Sequence, residues 1–426
     1  MFDFSEILDS TTGGHIKASA LSNSIFLCLI ISLLCYGIVF LGFYDKVIRN
    51  RLEIDEILMR DHRSYVNYAL ADFDNLENKS EEVDLFENEV KSLISTRSWG
   101  IYNLLFVKTY FKADTLSKAY LLGRVNQIPE KRISLFVTDK DEIVKYSGDI
   151  EIDGKVQIPK SKLERSYVEN SASNKSDLKI NKKLLSNSGK KLPELKPLML
   201  DNFENYRGVI AESNPLQNSK ANSFFDKTIL VTIESSGILR DVDFKGNIRI
   251  ISENPLKIDS SAKLEDVIID APEVVVGKGF KGSIHIIAQD RVEIMDSVQL
   301  SYPSSIIVKH TTGESEVLLR SNSKVFADIV VISASGNSNS LNTFRMEENC
   351  QVVGSIYCEG STELRGSITG SVYTDLLAYQ TESSNYKNLL KDLSILTNTY
   401  ESHFFNLPLK NELGADKNRY DIIKKL

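Results

Sequence analysis

Phe244-Lys245-Gly246-Asn247-Ile248 returns as Phe280-Lys281-Gly282-Ser283-Ile284, 36 residues further along the chain. The match continues past both stretches: Ile250, Ile251, Leu256, Ile258 and Leu264 meet Ile286, Ile287, Val292, Ile294 and Leu300. A repeat of short β-rich runs describes a unit that cannot bury its apolar face alone and must stack on copies of itself. Between the copies lies a half-copy, Leu264-Glu265-Asp266-Val267-Ile268-Ile269-Asp270-Ala271-Pro272, followed by Val274-Val275-Val276. The period therefore predicts coils of about 18 residues, each with two or three short strands. This region is expected to be a β-solenoid of the right-handed β-helix kind, with Phe244 and Phe280 stacked in its core.

The solenoid is expected over residues 226–378. Its later coils are looser, as in Ser305-Ile306-Ile307-Val308, Val317-Leu318-Leu319 and Ala327-Asp328-Ile329-Val330-Val331-Ile332. The last turns are glycine-marked: Gly354-Ser355-Ile356, Gly366-Ser367-Ile368 and Gly370-Ser371-Val372. Glycine at one place in each turn suits a corner where a side chain would clash. Roughly eight coils at about 4.8 Å each predict a rod of about 40 Å. Residues 379–426 carry Leu389, Leu390, Leu393 and Ile395 at helical spacing and read as a helical cap over open strand edges.

Toward the N-terminus, 166–225 is rich in Ser, Asn and Lys and is expected to be a polar linker or insertion. Residues 93–165 alternate in polarity. Trp99–Val107, Lys118–Leu122, Ile133–Val137, Tyr146–Ile150 and Gly154–Pro159 read as consecutive strands of a small antiparallel β-domain, with Trp99 in its core. Residues 45–92 begin with a helical pattern free of Pro and Gly, from Val47 and Ile48 to Ala69 and Leu70, and are expected to form an amphipathic stalk.

Before the stalk, Ser24–Tyr44 holds no charged residue over 21 positions, the length of a bilayer's apolar core. Residues 23–44 are therefore expected to be a transmembrane helix behind an N-terminal tail, 1–22. Orientation is contested. Lys17 precedes the span against Asp3, Glu6 and Asp9, whereas Lys46, Arg49, Arg51, Arg60 and Arg63 follow it. Counting only Lys and Arg leaves the large C-terminal part in the cytoplasm, yet long domains cross membranes regardless of flanking charge. Both orientations stand.

A net charge of −7, without a dense Lys/Arg block, argues against nucleic acid as a partner. Four cysteines do not make a disulfide framework, and five scattered histidines give no metal-ligand spacing. Cys350 and Cys358 are left open as a pair. Some β-helix enzymes cut acidic polysaccharides with calcium-binding aspartates and a basic residue on one strand face. The corresponding candidates are Asp241, Asp243, Asp266, Asp270, Asp290 and Asp296 with Arg291. Their spacing does not keep step with the coils, so solvated turn residues are the simpler reading. There is no phosphate-cradling loop, nucleophile elbow or zinc motif. We expect no enzyme, with no catalytic, metal or cofactor residue to assign; glycan binding has no residue pattern behind it.

Lys17-Ala18-Ser19-Ala20-Leu21 leading into the apolar helix and stalk resembles the type IV pilin and type II secretion pseudopilin superfamily, especially its large minor members. On that resemblance Gly13-Gly14 corresponds to the prepilin-peptidase site, although the residues ahead of it are acidic where pilin leaders are usually basic. The resemblance implies an inner-membrane protein with periplasmic C-terminal domains, packed among helices of a pilus-like or secretion assembly. The Trp-Gly strand, Gly-to-Pro β-segment and β-helix after one span also resemble membrane-anchored proteins of Bacteroidetes. The Gly-Ser-Ile and Gly-Ser-Val turns resemble bactofilins, cytoskeletal β-helices, which implies the opposite reading: a cytoplasmic scaffold.

Overall fold

The computed structural model describes residues 12–87, 89–125, 133–168, 177–181, 184–195, 219–233, 237–310, 314–333, 341–396, 407, 409 and 419–426. The acidic leader and much of 166–225 and 397–418 lie outside the described residues. The described chain forms two compact units. The first contains the helix up to Ser64 with residues 84–92 and 109–116; the second contains 65–83, 93–108 and everything from 117 onward.

Helix α1 runs from Thr12 to Ala71 without a break. It contains no proline, and its apolar residues between Leu21 and Tyr44 face outward rather than into a core. It is long and apolar enough to cross a membrane. Near its end, within the first unit, buried His62 places Nδ1 3.0 Å from Thr109 Oγ1, which lies 3.2 Å from Ser92 Oγ.

In the second unit the helix ends at Ala71 and a single turn, α2 (Phe73–Leu76), follows. The stalk expected to 92 is therefore shorter, and strand structure begins at Ser80. A five-stranded sheet has the order β1 (Ser80–Val83), β2 (Val90–Trp99), β3 (Tyr102–Phe111), β4 (Asp114–Val125) and the C-terminal strand Arg419–Lys425. The last pairs antiparallel with β4, Ile422 opposite Leu122. The two-residue loop Gly100-Ile101 and the Lys112-Ala113 turn, with positive φ at Gly100 and Lys112, make β2–β4 a hairpin series.

The rest of the second unit is a parallel solenoid with three faces. Its interior is built from aligned aliphatic columns. On the second face one column rises through Val231, Ile250, Ile269, Ile286, Ile306, Ile329, Ile356 and Val372, one residue per rung. It then passes to Leu135, Val156 and Leu185, giving eleven rungs among the described residues. The first face does the same: Val352 lies on Ile368, then on Ile395, Ile152 and Ile180. Residues 133–187 thus take up the spiral where 389–396 leave it. At about 4.8 Å per rung, ten steps give about 48 Å. Each buried Val, Leu or Ile contributes roughly 1.5–3 kcal/mol relative to exposure.

The 36-residue period maps onto two coils, as Ile250–Ile269–Ile286 and Leu256–Val274–Val292 show. The first face slips by two residues. Lys245 lies on Glu265 and Glu265 on Ser283, so Phe280 is not the register mate of Phe244. Both phenylalanines are buried in the interior nonetheless. The register shifts between Glu265 and Val267, around Asp266 with its positive φ, and at Gly282 a Cβ would lie 2.8 Å from the Phe280 ring.

Three expectations are corrected. Residues 133–158 belong to the solenoid and pair in parallel, so the small antiparallel sheet ends at Val125. Within the expected linker, Leu178–Ile180, Leu185–Asn187 and Ser219–Asn222 are rungs of the solenoid. The expected helical cap is strand at Asn385–Lys387, Leu389–Leu396 and Arg419–Lys425. A corner explains the misleading spacing: Asp392 has positive φ, and it resets the alternation between Leu390 and Leu393, both inward.

Candidate functional site

The second face points two columns outward beneath the N-terminal sheet. One is apolar: Ile287, Ile307, Val330, Tyr357, Tyr373 and Phe136. It packs with Trp99, Ile101, Leu104, Ala119 and Leu121 into a second core. The other is polar: His285, Ser305 and Asp328 on successive rungs, then Ser355 and Ser371. All five polar residues are buried. This seam gathers a histidine, an aspartate and three serines, all buried, on one face of the solenoid.

The Gly100-Ile101 turn lowers the sheet onto the polar column. Gly100 has φ +60°, and a Cβ there would stand 3.1 Å from His285 and from Ser305 Oγ. Tyr102 donates its hydroxyl to the Ser304 carbonyl at 3.1 Å and to Asp328 Oδ2 at 3.3 Å. The backbone N–H of Ser355 donates to Asp328 Oδ1 at 2.7 Å. Burial pushes the Asp328 carboxyl up to about 7, against hydrogen bonds from Ser355 and Tyr102 that favour its charge. His285 Nδ1 lies 3.0 Å from Ser305 Oγ, and its Nε2 has no hydrogen-bond partner among the described residues. Burial, with a smaller push from Lys424, lowers its pKa to about 3.

One rung earlier the seam is ionic. Trp99 Nε1 donates to the Asp266 carbonyl at 3.2 Å, and its ring meets Phe224 edge-on at 5.1 Å. Lys424 of the C-terminal strand reaches Asp266 Oδ2 at 2.6 Å and Glu265 Oε1 at 3.0 Å. Burial pulls the Lys424 pKa down, but the two carboxylates outweigh it and hold the ammonium above its usual value.

A histidine, a serine and an aspartate in one column invite comparison with a nucleophilic triad. The order is wrong for one. Histidine must stand between the other two, whereas here Ser305 is central and Asp328 does not touch His285. All three are covered, so no substrate atom reaches them. The arrangement joins two sheets.

The sequence candidates do not converge. Asp266 is buried under Lys424; Asp270 pairs with Arg249, and Asp290 accepts from His310 at 2.8 Å. Arg291 pairs with Glu293 and Glu316, both at 3.2 Å. Asp241 lies in a bend and Asp243 opens a strand, both exposed, and Asp296 sits in the turn after a strand that ends at Ile294. A groove of about 750 Å³ lies beside Arg345, Glu363, Arg365 and Tyr379. Its central charges pair with one another: Arg345 with Glu363 at 3.3 Å, and Arg365 with Glu363 at 2.5 Å while it covers the Tyr379 ring at 4.6 Å. Among the described residues no group of three or more His, Cys, Asp or Glu is placed to hold a metal. Cys350 and Cys358 are separate buried thiols on different faces; burial pushes Cys358 up to about 12.

Sequence reading missed the seam, yet a signal was present. His285-Ile286-Ile287, Ser305-Ile306-Ile307, Asp328-Ile329-Val330, Ser355-Ile356-Tyr357 and Ser371-Val372-Tyr373 repeat one triplet: polar, aliphatic, apolar. The middle residue points inward and the outer two point toward the covering sheet. Comparison with protein families, curated proteins and solved structures finds no match.

Proposed function

We propose that this chain is a non-enzymatic, single-pass membrane protein that holds a β-solenoid at the membrane surface as a structural or interaction module. The observation that carries the reading is the pairing of one outward-facing apolar helix with a solenoid whose acidic residues are dispersed or already paired. A cleft with convergent, unpaired groups would argue for catalysis. The reading includes an inner-membrane location with the N-terminus inside and the solenoid in the periplasm. There the anchor helix packs among helices of a pilus-like or secretion assembly, and the solenoid presents a stiff lateral surface.

A topology reporter fused after Leu426 tests the placement. Activity confined to the periplasm agrees with it. Cytoplasmic activity overturns it in favour of a bactofilin-like scaffold, the reading that the Lys and Arg residues following the span favour.

A further inference from the structure

We propose that at mildly acidic pH docking of the N-terminal sheet onto the solenoid moves one proton from His285 to Asp328, so that the seam closes with both side chains neutral and exchanges no net proton with solvent. The geometry requires it. Asp328 is buried and its partners are the neutral Tyr102 hydroxyl and Ser355 amide; among the described residues no cation forms an ion pair with it. His285 is wholly buried, its Nδ1 meets the neutral Ser305 hydroxyl, and its Nε2 has no hydrogen-bond partner among the described residues. The other titratable groups do not supply a counter-charge. Tyr102 and Tyr302 carry phenols that burial keeps protonated, and Lys424 is held by Asp266 and Glu265. An isolated buried charge is expensive, so each group sheds its own.

With the sheet undocked at pH 5–6, Asp328 is an ordinary carboxylate and His285 largely an imidazolium. On docking an N–H bond of His285 is lost and an O–H bond of Asp328 is gained. The balance is zero: one proton leaves the ring, one arrives on the carboxyl.

The signs follow by linkage. Asp328 has a raised docked value, so its contribution is present in acid and is lost as pH rises toward about 7. His285 has a lowered docked value, so its contribution is present above its ordinary value of 6.5 and is lost as pH falls toward about 3. Between about pH 4 and 6.5 the two slopes oppose and cancel.

The single tryptophan sits in this seam and reports docking directly. The test follows Trp99 emission during urea titration of the full chain in detergent, at steps from pH 4.5 to 6.5. Wild type is expected to show a docking equilibrium that changes less than about threefold across the range. Asp328→Asn keeps the histidine alone, so docking should weaken by up to about tenfold per unit of acidification. His285→Gln should do the reverse and strengthen by the same factor. A wild-type slope as steep as either variant's overturns the proposal, as does a variant without a slope. Should either variant fail to fold, nitrogen-15 spectra of the wild type's imidazoles decide. A neutral, non-titrating imidazole at pH 5 whose signal moves on undocking supports the proposal; every imidazole charged at pH 5 overturns it.

Discussion

Gly354 and Gly370 lie one rung apart at the corner between the first and second faces. Their φ values, +145° and +154°, are open to few other residues, and a Cβ on Gly370 would fall 1.9 Å from the Gly354 carbonyl oxygen. Gly370→Ala should therefore destabilise the solenoid by about 3 kcal/mol, seen as a lower urea midpoint. This glycine role was legible in the repeated Gly-Ser-Ile and Gly-Ser-Val turns. Interior columns give a graded expectation. Ile286 sits mid-column and fully buried, so Ile286→Ala should cost about 3–4 kcal/mol. Leu185 is a half-buried rung at the end of the column, and its truncation should cost about 1 kcal/mol in the same titration. The seam's residues were not legible as a site, because Tyr102 lies more than 200 positions from Asp328 and nothing local joins them.

Among elements, the apolar helix announces itself through length and composition and lies where the pattern puts it. The sheet is only half announced: β3 and β4 fall in the region of alternating polarity, but Ser80–Val83 and Arg419–Lys425 are strands where helix was expected. Residues 133–158 show the limit of that reasoning. Alternation says strand, but the same alternation serves an antiparallel hairpin and a parallel rung. Ser134-Leu135-Phe136 carries the polar–aliphatic–apolar triplet of the solenoid, and that, rather than alternation, marks its membership. Three-residue strands such as Leu178–Ile180 escape notice because only two side chains in each point inward. The C-terminal strand is tied down through Lys424. Removing that ammonium leaves Asp266 buried with its charge uncompensated, so Lys424→Met should cost about 2 kcal/mol of stability. Lys424→Met combined with Asp266→Asn should recover a large part of that loss, measured by the same denaturation.

For the second unit as a whole, the spiral is the organising object, and it is assembled out of chain order. Residues 219–396 build it upward, and 133–187 complete it from the N-terminal side. No sequence period reveals that join, because the rungs that meet are 243 positions apart, as Ser394 and Glu151 are. The join is open to one direct measurement. Ser394 and Glu151 are outward-facing register mates on adjacent rungs, so their Cα separation of about 4.8 Å suits a disulfide. With the native cysteines replaced by serine, Ser394→Cys with Glu151→Cys should oxidise to an intramolecular bond joining the two peptides. Ser367→Cys with Glu151→Cys, two rungs apart, should not. A bond in the first pair and none in the second is the result this account predicts. A bond in the second pair alone, or in neither, would contradict a single spiral drawn from both parts of the chain.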